Sequence, residues 1–212
     1  MLMKEEREKI VEYGKKLIES GLTKGTGGNL SIYNREKQLM AISPSGIHYF
    51  QTKPEDVVVL NLKGEIVDGD KKPSSEREMH RIFYEKRDDI DAIIHTHTMY
   101  ATTLSCLRWK LPAVHYILAS AGKDIRCAEY ATFGTDELAD NAFKAMKDRK
   151  AVLLANHGLL AGSNNLEDAL SITEDIEYCS ELYYRAKSIG EPVILDDEEM
   201  DIMVDRFKSY GQ

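Results

Sequence analysis

Apolar residues recur along much of the chain at the three- to four-residue spacing of helices. Between residues 3 and 20 this spacing is sustained, and Gly21 follows it as a helix C-cap. Ser75 and Glu78 form the sequence pattern of a capping box, which predicts that a helix begins there and runs to about Lys86. Further helices are predicted from Tyr100 for a short stretch, over 136–147, over 166–187 and over 197–208.

Strand patterns lie between these helices. NLSIY and QLMAI flank the polar NREK and predict a β-hairpin, and VVVLN followed by LKGE predicts a strand and a turn. Hairpins beside helical crossovers indicate an α/β fold, in which helices cover both sides of a mixed sheet. With 212 residues and no repeat or low-complexity linker, a single domain over residues 1–212 is expected. Other strands are predicted in DAIIHTH, near Val114, near Ala128 and in AVLLANHG.

Composition and charge restrict the class of protein. No apolar run approaches the roughly 20 residues of a membrane span, and the charged start MLMKEEREKI is unlike a signal peptide, so we expect a cytoplasmic protein. The net charge of −8 argues against nucleic acid or an anionic membrane as a partner, because both require a basic face. The three scattered cysteines are typical of reduced thiols and include no obvious nucleophile.

Two histidines interrupt the apolar strand pattern of DAIIHTHTMY. Residues i and i+2 of a strand point to the same face, so His95 and His97 can present two imidazoles to one point, while Thr96 should point into the core. His157 ends the apolar run AVLLANHG, where a strand meets a loop. Buried histidines held by backbone groups or carboxylates would explain the pair without a metal. Three imidazoles, however, match the ligand count of a catalytic zinc site with an open fourth position.

Three glycine- or serine-rich segments have the chemistry of an anion site. They are GTGGNLS at 25–31, SPSG at 43–46 and PSSE at 73–76. Glycine turns let backbone N–H groups converge, and the serines of the third segment lie where a helix N-terminus favours phosphate. Each segment alone is better explained as an ordinary turn or cap. Their combination in an acidic protein with a possible metal site predicts a phosphorylated small molecule as ligand.

Glu76 and the remaining histidines have structural interpretations as well. At a helix N-terminus the Glu76 carboxylate complements the helix dipole without any function. Beside a bound cation it could instead ligate the metal or act as a general base. Structural or surface roles are expected for His48, His80 and His115.

A larger set of motifs occurs in the order and spacing of a known family. The chain resembles the class II, zinc-dependent sugar-phosphate aldolases from about Gly25 to Gly211, and within them the L-fuculose-1-phosphate aldolase branch. The resemblance implies a three-layer α/β/α fold with a mixed, mostly antiparallel sheet, a C4 homotetramer, and active sites at subunit interfaces. The motifs are GTGGNLS, SPSG, KPSSE, HTH, PAVHY, ATFGT, ANHGL and FKSYG.

The resemblance also implies site residues. One Zn²⁺ per subunit would be held by Glu76, His95, His97 and His157. The substrate phosphate would be bound by Gly28, Asn29, Ser45, Gly46, Ser74 and Ser75. Ser45 stands where the fuculose branch has Thr, which keeps the hydroxyl. Thr26 matches a residue that positions the reacting groups, Phe133 matches an aromatic near the aldehyde, and Tyr116 and Tyr210 match tyrosines that reach a neighbouring subunit's active site.

The implied activity is that of an aldehyde-lyase. L-Fuculose 1-phosphate would be cleaved reversibly to dihydroxyacetone phosphate and L-lactaldehyde. The zinc ion would stabilise the charge of the enediolate, and Glu76 would accept and return the C3 proton of the dihydroxyacetone phosphate fragment. Tyr116 of the partner subunit would protonate the oxygen formed from the aldehyde.

Several alternatives stay open at this point. The L-ribulose-5-phosphate 4-epimerase branch uses the same apparatus but carries Asp after the Ser-Ser pair, where this chain has Glu76. A methylthioribulose-phosphate dehydratase is a more distant possibility. A non-catalytic module resembling adducin heads would have lost the metal ligands, all four of which are present here. The particular ketose phosphate stays open, as does the metal, because Co²⁺ and Mn²⁺ also accept three imidazoles and a carboxylate.

Overall fold

Eight strands form a single sheet in a computed structural model that describes residues 1–207. The strands are β1 (Asn29–Asn34), β2 (Leu39–Ile42), β3 (Val58–Asn61), β4 (Ile66–Asp68), β5 (Ala92–Thr96), β6 (Cys127–Ala128), β7 (Ala151–Leu154) and β8 (Gly158–Ser163). They lie in the order β4-β3-β2-β1-β5-β8-β7-β6, and every neighbouring pair is antiparallel except β6 with β7. The prediction of a mixed, mostly antiparallel sheet is therefore confirmed.

Helices cover both faces of the sheet, as the three-layer prediction requires. The helices are α1 (Lys4–Glu19), α2 (Arg77–Lys86), α3 (Met99–Cys106), α4 (Asp136–Ala145), α5 (Leu166–Ile189) and α6 (Asp197–Phe207). One face packs against α2 and α4, and the other packs against α1, α3 and α5, while α6 packs over a short 3₁₀ helix at Tyr116–Ser120. No helix within residues 1–207 is both long and apolar enough to cross a membrane.

Side-chain alternation along the strands divides the core between these two faces. Ile93 of β5 belongs to the apolar cluster that contains Phe83 of α2, whereas the next residue, Ile94, belongs to the cluster that contains Leu17 of α1. All four side chains are fully buried. The strand β5 is thus covered on both sides, and its pairing with β1 and β8 places it in the middle of the sheet.

The start of α2 differs from the prediction. The helix begins at Arg77, with Glu76 as its N-cap residue and no side-chain cap, so the predicted capping box of Ser75 and Glu78 is wrong. Glu78 instead accepts a hydrogen bond from Arg81 Nε at 2.6 Å. The residues before Glu76 are tied to the sheet, because Ser74 N donates to the carbonyl oxygen of Ser43 at 3.1 Å. Because Ser74 is held against the sheet, the helix begins only after it, at Arg77.

Two further predictions about strands need correction. No strand forms near Val114, where Pro112 lacks an N–H group and its carbonyl accepts a hydrogen bond from Val114 N at 2.7 Å in a tight turn. The run AVLLANHG does not form one strand to its end, because β7 stops at Leu154 and a turn leads into β8. The pattern did not predict β8, since all six of its residues are buried and no alternation marks a strand. The predicted helices match the observed bounds to within one or two residues, and Lys208 lies outside the described residues.

The packing of α2 onto the sheet predicts the effect of truncating its central aromatic residue. Phe83 is fully buried and its ring centroid lies 5.5 Å from that of Phe143 in the next helix of the same face. Phe83→Ala is expected to lower the free energy of unfolding by about 3–5 kcal/mol, measured by urea unfolding followed by circular dichroism. Phe50→Ala, at a side chain that is 51% exposed, is the control and should change it by under about 0.5 kcal/mol. Equal effects of the two substitutions would contradict this account of the core.

Candidate metal centre and active site

Three histidine side chains meet beside the C-terminal end of β5. His95 lies within the strand, His97 follows its last residue by one position, and His157 lies in the turn between β7 and β8. The Nε2 atoms of His95 and His97 are 3.0 Å apart, and one potential ligand atom from each of the three rings lies within 4.8 Å of the others. The structure thus brings together the three histidines that the sequence pattern singled out. Thr96 is fully buried and takes no part in this group.

Two glycines allow the backbone to approach this cluster. A Cβ atom at Gly158 would lie 2.3 Å from the carbonyl oxygen of Thr96 and 3.1 Å from Cδ2 of His97. A Cβ atom at Gly28 would lie 2.3 Å from the carbonyl oxygen of His95, and the φ of this glycine, +72°, is one that other residues rarely adopt. Neither position can carry a side chain unless the backbone beside the histidines moves.

The protonation of the histidines suits metal binding. His95 Nδ1 donates a hydrogen bond to the carbonyl oxygen of Leu159 at 2.9 Å, which fixes the ring orientation. Burial, reinforced by the neighbouring His157 and His97, lowers the pKa of His95 well below its usual value of 6.5. Burial and the proximity of His157 also lower the pKa of His97. The His95 ring is therefore neutral near pH 7, and its Nε2 carries a lone pair directed at the centre of the cluster.

Glu76 completes the group. Its Oε2 lies 3.4 Å from His95 Nε2, and its Oε1 lies 3.3 Å from His157 Nε2. The residue is 7% exposed, and Oε1 is buried without a hydrogen-bond partner within the described part of the chain. An acceptor oxygen without a donor, facing imidazole nitrogens, is an arrangement that a cation would satisfy. Three imidazoles and one carboxylate form a donor set that suits Zn²⁺, so the residues present fit a metal ion.

The three predicted anion-binding segments lie next to one another. Leu30 N donates to Ser43 Oγ at 3.2 Å, and Ser74 N donates to the carbonyl oxygen of Ser43 at 3.1 Å, which joins all three segments. An isolated β-bridge between Pro44 and Pro73 reinforces the contact. The segments adjoin the cluster because Gly28 packs on His95 and Ser75 immediately precedes Glu76. Within these segments, the exposed candidates for a phosphate site are Ser45, Gly46 and Ser75, and the buried or half-buried ones are Gly28, Asn29 and Ser74.

The other predicted site residues lie in three different places. Thr26 is exposed in the loop before β1. Phe133 is 65% exposed, and the next residue, Gly134, packs so closely on Ser75 that a Cβ atom there would lie 2.9 Å from its carbonyl oxygen. Tyr116 is 51% exposed and lines a groove between the 3₁₀ helix, α5 and α6, which none of the four candidate metal ligands lines. Tyr210 lies outside the described residues.

Some residues at the site, or their contacts there, were not predicted from the sequence. The side chain of Asn29, expected at the phosphate, donates from Nδ2 to Glu76 Oε2 at 2.9 Å and is also bonded to His80. A small pocket beside His97 is lined by Thr23 and Met99 among others, and neither residue was a candidate. The glycine after His157 in ANHGL was the one available hint of close packing there. The rest depends on contacts between segments far apart in the chain.

Three histidines and a buried carboxylate converge beside the central strand of a mixed, mostly antiparallel α/β/α sheet. This arrangement suits a metal-dependent enzyme, and comparison with known proteins identifies the family. Residues 8–184 match the family model described as Class II Aldolase and Adducin N-terminal domain. The chain belongs to this family. The resemblance inferred from the motifs is thereby confirmed.

Several relatives that match over nearly their whole length are aldolases. The chain is 60% identical to 5-deoxy-D-ribulose 1-phosphate aldolase of Bacillus thuringiensis serovar kurstaki over 212 residues, which is 100% of both chains. It is 40% identical to L-fuculose phosphate aldolase of Escherichia coli K12 over 204 residues, 95% of this chain and 94% of that one. A solved structure of an L-fuculose 1-phosphate aldolase superposes with a TM-score of 0.97 at 60% identity, covering 98% of each chain. These relatives support aldolase activity, that of a lyase, and argue against a non-catalytic module.

The close approach of Gly158 to the histidines predicts an effect on metal binding. Gly158→Ala should weaken Zn²⁺ affinity by roughly 10- to 100-fold, as displacement of groups that orient metal ligands does. Gly162→Ala in the same strand is a matched control, because its Cβ would meet the flexible side chain of Ile90 at 3.1 Å. Metal per subunit after equilibrium dialysis measures the difference. Equal affinities in the two variants would show that the close packing does not support the ligands.

Proposed function

We propose that the protein catalyses the reversible aldol cleavage of a deoxyketose 1-phosphate to dihydroxyacetone phosphate and a short aldehyde with a terminal methyl group. The observation that carries the proposal is the convergence of His95, His97, His157 and Glu76, of which His95 and Glu76 are buried, beside three contiguous segments with anion-binding chemistry. The phosphate of such a substrate and its carbonyl end can then be held at adjacent places, which orients the bond that breaks.

The metal that we propose is one Zn²⁺ per subunit. His95, His97 and His157 would hold it together with Glu76. When bound, such an ion supplies Lewis-acid stabilisation of the negative charge that develops on the carbonyl side of the cleaved bond. The class II aldolase family is metal dependent, and the donor set here also accepts Co²⁺ or Mn²⁺.

Glu76 is the group proposed to move the proton. In the synthetic direction its carboxylate removes a proton from C3 of dihydroxyacetone phosphate, and in the cleavage direction it returns that proton. Once the substrate displaces the carboxylate from the metal, Oε1, which has no donor within the described residues, has a lone pair available for the proton, while Oε2 accepts a hydrogen bond from Asn29. Burial of the side chain keeps bulk water away from the carboxylate during the transfer.

Binding of the phosphate is assigned to the three contiguous segments. Ser75 lies just before the start of α2, where free backbone N–H groups favour an anion. Ser45 N donates to the carbonyl oxygen of Lys72 at 2.8 Å, which holds Ser45 and Gly46 next to the segment that leads into this helix. Thr26 and Phe133 are proposed to lie beside the reacting end of the substrate. The residues proposed for the phosphate are Gly28, Asn29, Ser45, Gly46, Ser74 and Ser75.

The group that protonates the oxygen of the aldehyde is proposed to come from another subunit. Tyr116 of the partner subunit would protonate the aldehyde oxygen, since this chain's own Tyr116 lines a groove separate from the four metal-ligand candidates. This requires an assembly, and we propose the C4 homotetramer that the family resemblance implies. Tyr210 of the partner subunit would belong to the same shared site.

Two substrates of the proposed class differ only in the aldehyde that they release. The relative that is 60% identical over its full length favours 5-deoxy-D-ribulose 1-phosphate, which yields acetaldehyde. The solved structure at 60% identity and the Escherichia coli relative at 40% favour L-fuculose 1-phosphate, which yields L-lactaldehyde. We propose 5-deoxy-D-ribulose 1-phosphate as the preferred substrate and L-fuculose 1-phosphate as the second candidate.

A panel assay tests the proposed function. Release of dihydroxyacetone phosphate is followed by a coupled NADH assay with both ketose 1-phosphates and with L-ribulose 5-phosphate. Cleavage of the 1-phosphates, with a higher kcat/KM for the five-carbon substrate, is the expected result. Epimerisation of L-ribulose 5-phosphate without cleavage of either 1-phosphate would overturn the proposal, and so would the absence of any reaction by zinc-loaded protein.

The role of Glu76 predicts the loss of one partial reaction. Glu76→Gln removes the base but keeps the size of the side chain, so exchange of the C3 proton of dihydroxyacetone phosphate with deuterium oxide should slow by on the order of 10²- to 10⁴-fold. Proton NMR measures the exchange without an aldehyde, and metal analysis of the same sample separates loss of the base from loss of the ion. A variant that holds metal and exchanges at the wild-type rate would exclude Glu76 as the base.

Shared active sites predict complementation between two inactive variants. In a 1:1 mixture of Glu76→Gln and Tyr116→Phe subunits, about a quarter of the sites should combine an intact Glu76 with an intact tyrosine of the partner subunit. Activity should therefore rise when the unfolded variants are refolded together. A mixture of Glu76→Gln with His97→Ala is the control, because both lesions then lie within one chain's own cluster and no recovery is expected. Equal behaviour of the two mixtures would contradict the shared site.

A further inference from the structure

A continuous series of buried hydrogen bonds leads from the core to Glu76. Tyr84 OH lies 2.5 Å from Ser31 Oγ, and Ser31 Oγ lies 2.7 Å from His80 Nδ1. His80 Nε2 lies 2.5 Å from Asn29 Oδ1, and Asn29 Nδ2 lies 2.9 Å from Glu76 Oε2. None of the five residues is more than 7% exposed, and His80 and Ser31 are completely buried. The candidate metal ligand Glu76 is thus connected by hydrogen bonds to His80, Ser31 and Tyr84, which do not contact it directly.

The direction of every hydrogen bond in this series follows from its end at Glu76. A carboxylate only accepts, so Asn29 must present its NH₂ group to Glu76 and its Oδ1 to His80. An amide oxygen also only accepts, so Nε2 of His80 must carry a proton. Burial, together with the proximity of His95, lowers the pKa of His80 to about 3, although the charge of Glu76 opposes this shift. The ring is therefore neutral near pH 7, and its Nδ1 accepts from the hydroxyl of Ser31.

We propose that His80 is a positioning residue for Glu76 and acts through the side chain of Asn29. This inference rests on the proposed function, in which Glu76 transfers the proton. An asparagine amide can rotate to present either its oxygen or its NH₂ group. The donor on His80 holds the oxygen, so the NH₂ group faces Glu76 Oε2. With Oε2 held, Oε1 is the oxygen that faces His157 Nε2 at 3.3 Å and is left for the proton.

Ser31 has a defined part in this arrangement. Its hydroxyl donates to Nδ1 of His80 and thereby selects the tautomer with the proton on Nε2. The tyrosine OH beside it supplies a donor to Ser31 Oγ or to the Ser31 carbonyl oxygen, 3.1 Å away. Without the serine hydroxyl, His80 can carry its proton on Nδ1 instead. Its Nε2 lone pair would then face Asn29 Oδ1 and drive the amide to rotate, which places an oxygen against the carboxylate.

A purely structural role for the same hydrogen bonds predicts a different outcome. Buried polar networks stabilise a fold, and breaking one lowers the fraction of folded protein. In that case the folded molecules would keep their kcat. Positioning instead predicts a fall in kcat with little change in KM, because a displaced base affects the chemical step, whereas five of the six residues proposed for the phosphate take no part in this series of hydrogen bonds.

The test compares His80→Leu, His80→Gln and Ser31→Ala in zinc-loaded protein. His80→Leu is expected to lower kcat and the rate of C3 proton exchange by roughly 10- to 100-fold, with KM and metal per subunit near the wild-type values. His80→Gln should restore most of the lost rate, because an amide N–H can still donate to Asn29 Oδ1. Ser31→Ala should fall between these variants. Ser180→Ala, at another completely buried serine whose hydroxyl bonds within α5, is the matched control and should leave kcat unchanged.

A second measurement does not depend on catalysis. Two-bond ¹H–¹⁵N NMR correlations of protein labelled at its histidine nitrogens report which ring nitrogen carries the proton. The wild type should show His80 as the neutral ring with its proton on Nε2, and Ser31→Ala should show loss of that single tautomer. This measurement keeps the inference testable even when His80→Leu does not fold.

The outcomes separate this inference from the proposed function. Wild-type protein that cleaves no ketose 1-phosphate and exchanges no C3 proton refutes the function itself. An active wild type with His80→Leu and Ser31→Ala at wild-type kcat refutes the positioning role alone. A His80 proton found on Nδ1 refutes it as well, and so does a loss of rate that merely follows the loss of folded protein or of metal.

Discussion

The lone pair of His95 Nε2 points at His97 across 3.0 Å, and the free oxygen of Glu76 lies 3.3 Å from His157. His95 and Glu76 are buried, His157 is half-buried and His97 is exposed. The two buried acceptors are little screened by water, so acceptors this close repel one another unless a proton or a cation lies between them. The fold holds them together in spite of this repulsion. Much of the rest of the structure serves that end, because the four side chains come from three places, the end of β5, the turn between β7 and β8, and the start of α2, and must be held there.

The sheet supplies most of this restraint through its register. Asn29 of β1 lies opposite His95 on one side of β5, and Leu160 of β8 lies opposite it on the other. The carbonyl oxygen of Leu159 fixes the His95 ring, and Gly158 lets β8 approach closely enough to do so. His157 lies in the turn of the hairpin that β8 forms with β7. The adjacent strands β5 and β8 thus hold His95, the Leu159 carbonyl oxygen that bonds to its ring, and His157 directly before the start of β8.

The other half of the site depends on where α2 begins. The contact between Ser74 and Ser43 keeps the chain at the sheet until Glu76, so the carboxylate lies at the helix start and next to the histidines. The same contact brings the anion-binding segments together. Behind the carboxylate, Asn29 and His80 form a buried polar support. The proposed metal site, proton-transfer group and phosphate site therefore share one set of backbone contacts.

The sequence by itself determined the helices, the first hairpin, the common face of His95 and His97, and the family, because these depend on local periodicity and on motif order. It predicted Glu76 and His157 as candidates without showing that they meet the other two. Only the tertiary structure decided that His95 contacts Leu159, 64 positions away, and that Asn29 and His80 lie behind Glu76. It also decided that α2 begins at Arg77 and that β8 exists. The physical reason is that propensity and alternation act between neighbours in the chain, whereas strand register and buried hydrogen bonds are set by the packing of segments far apart.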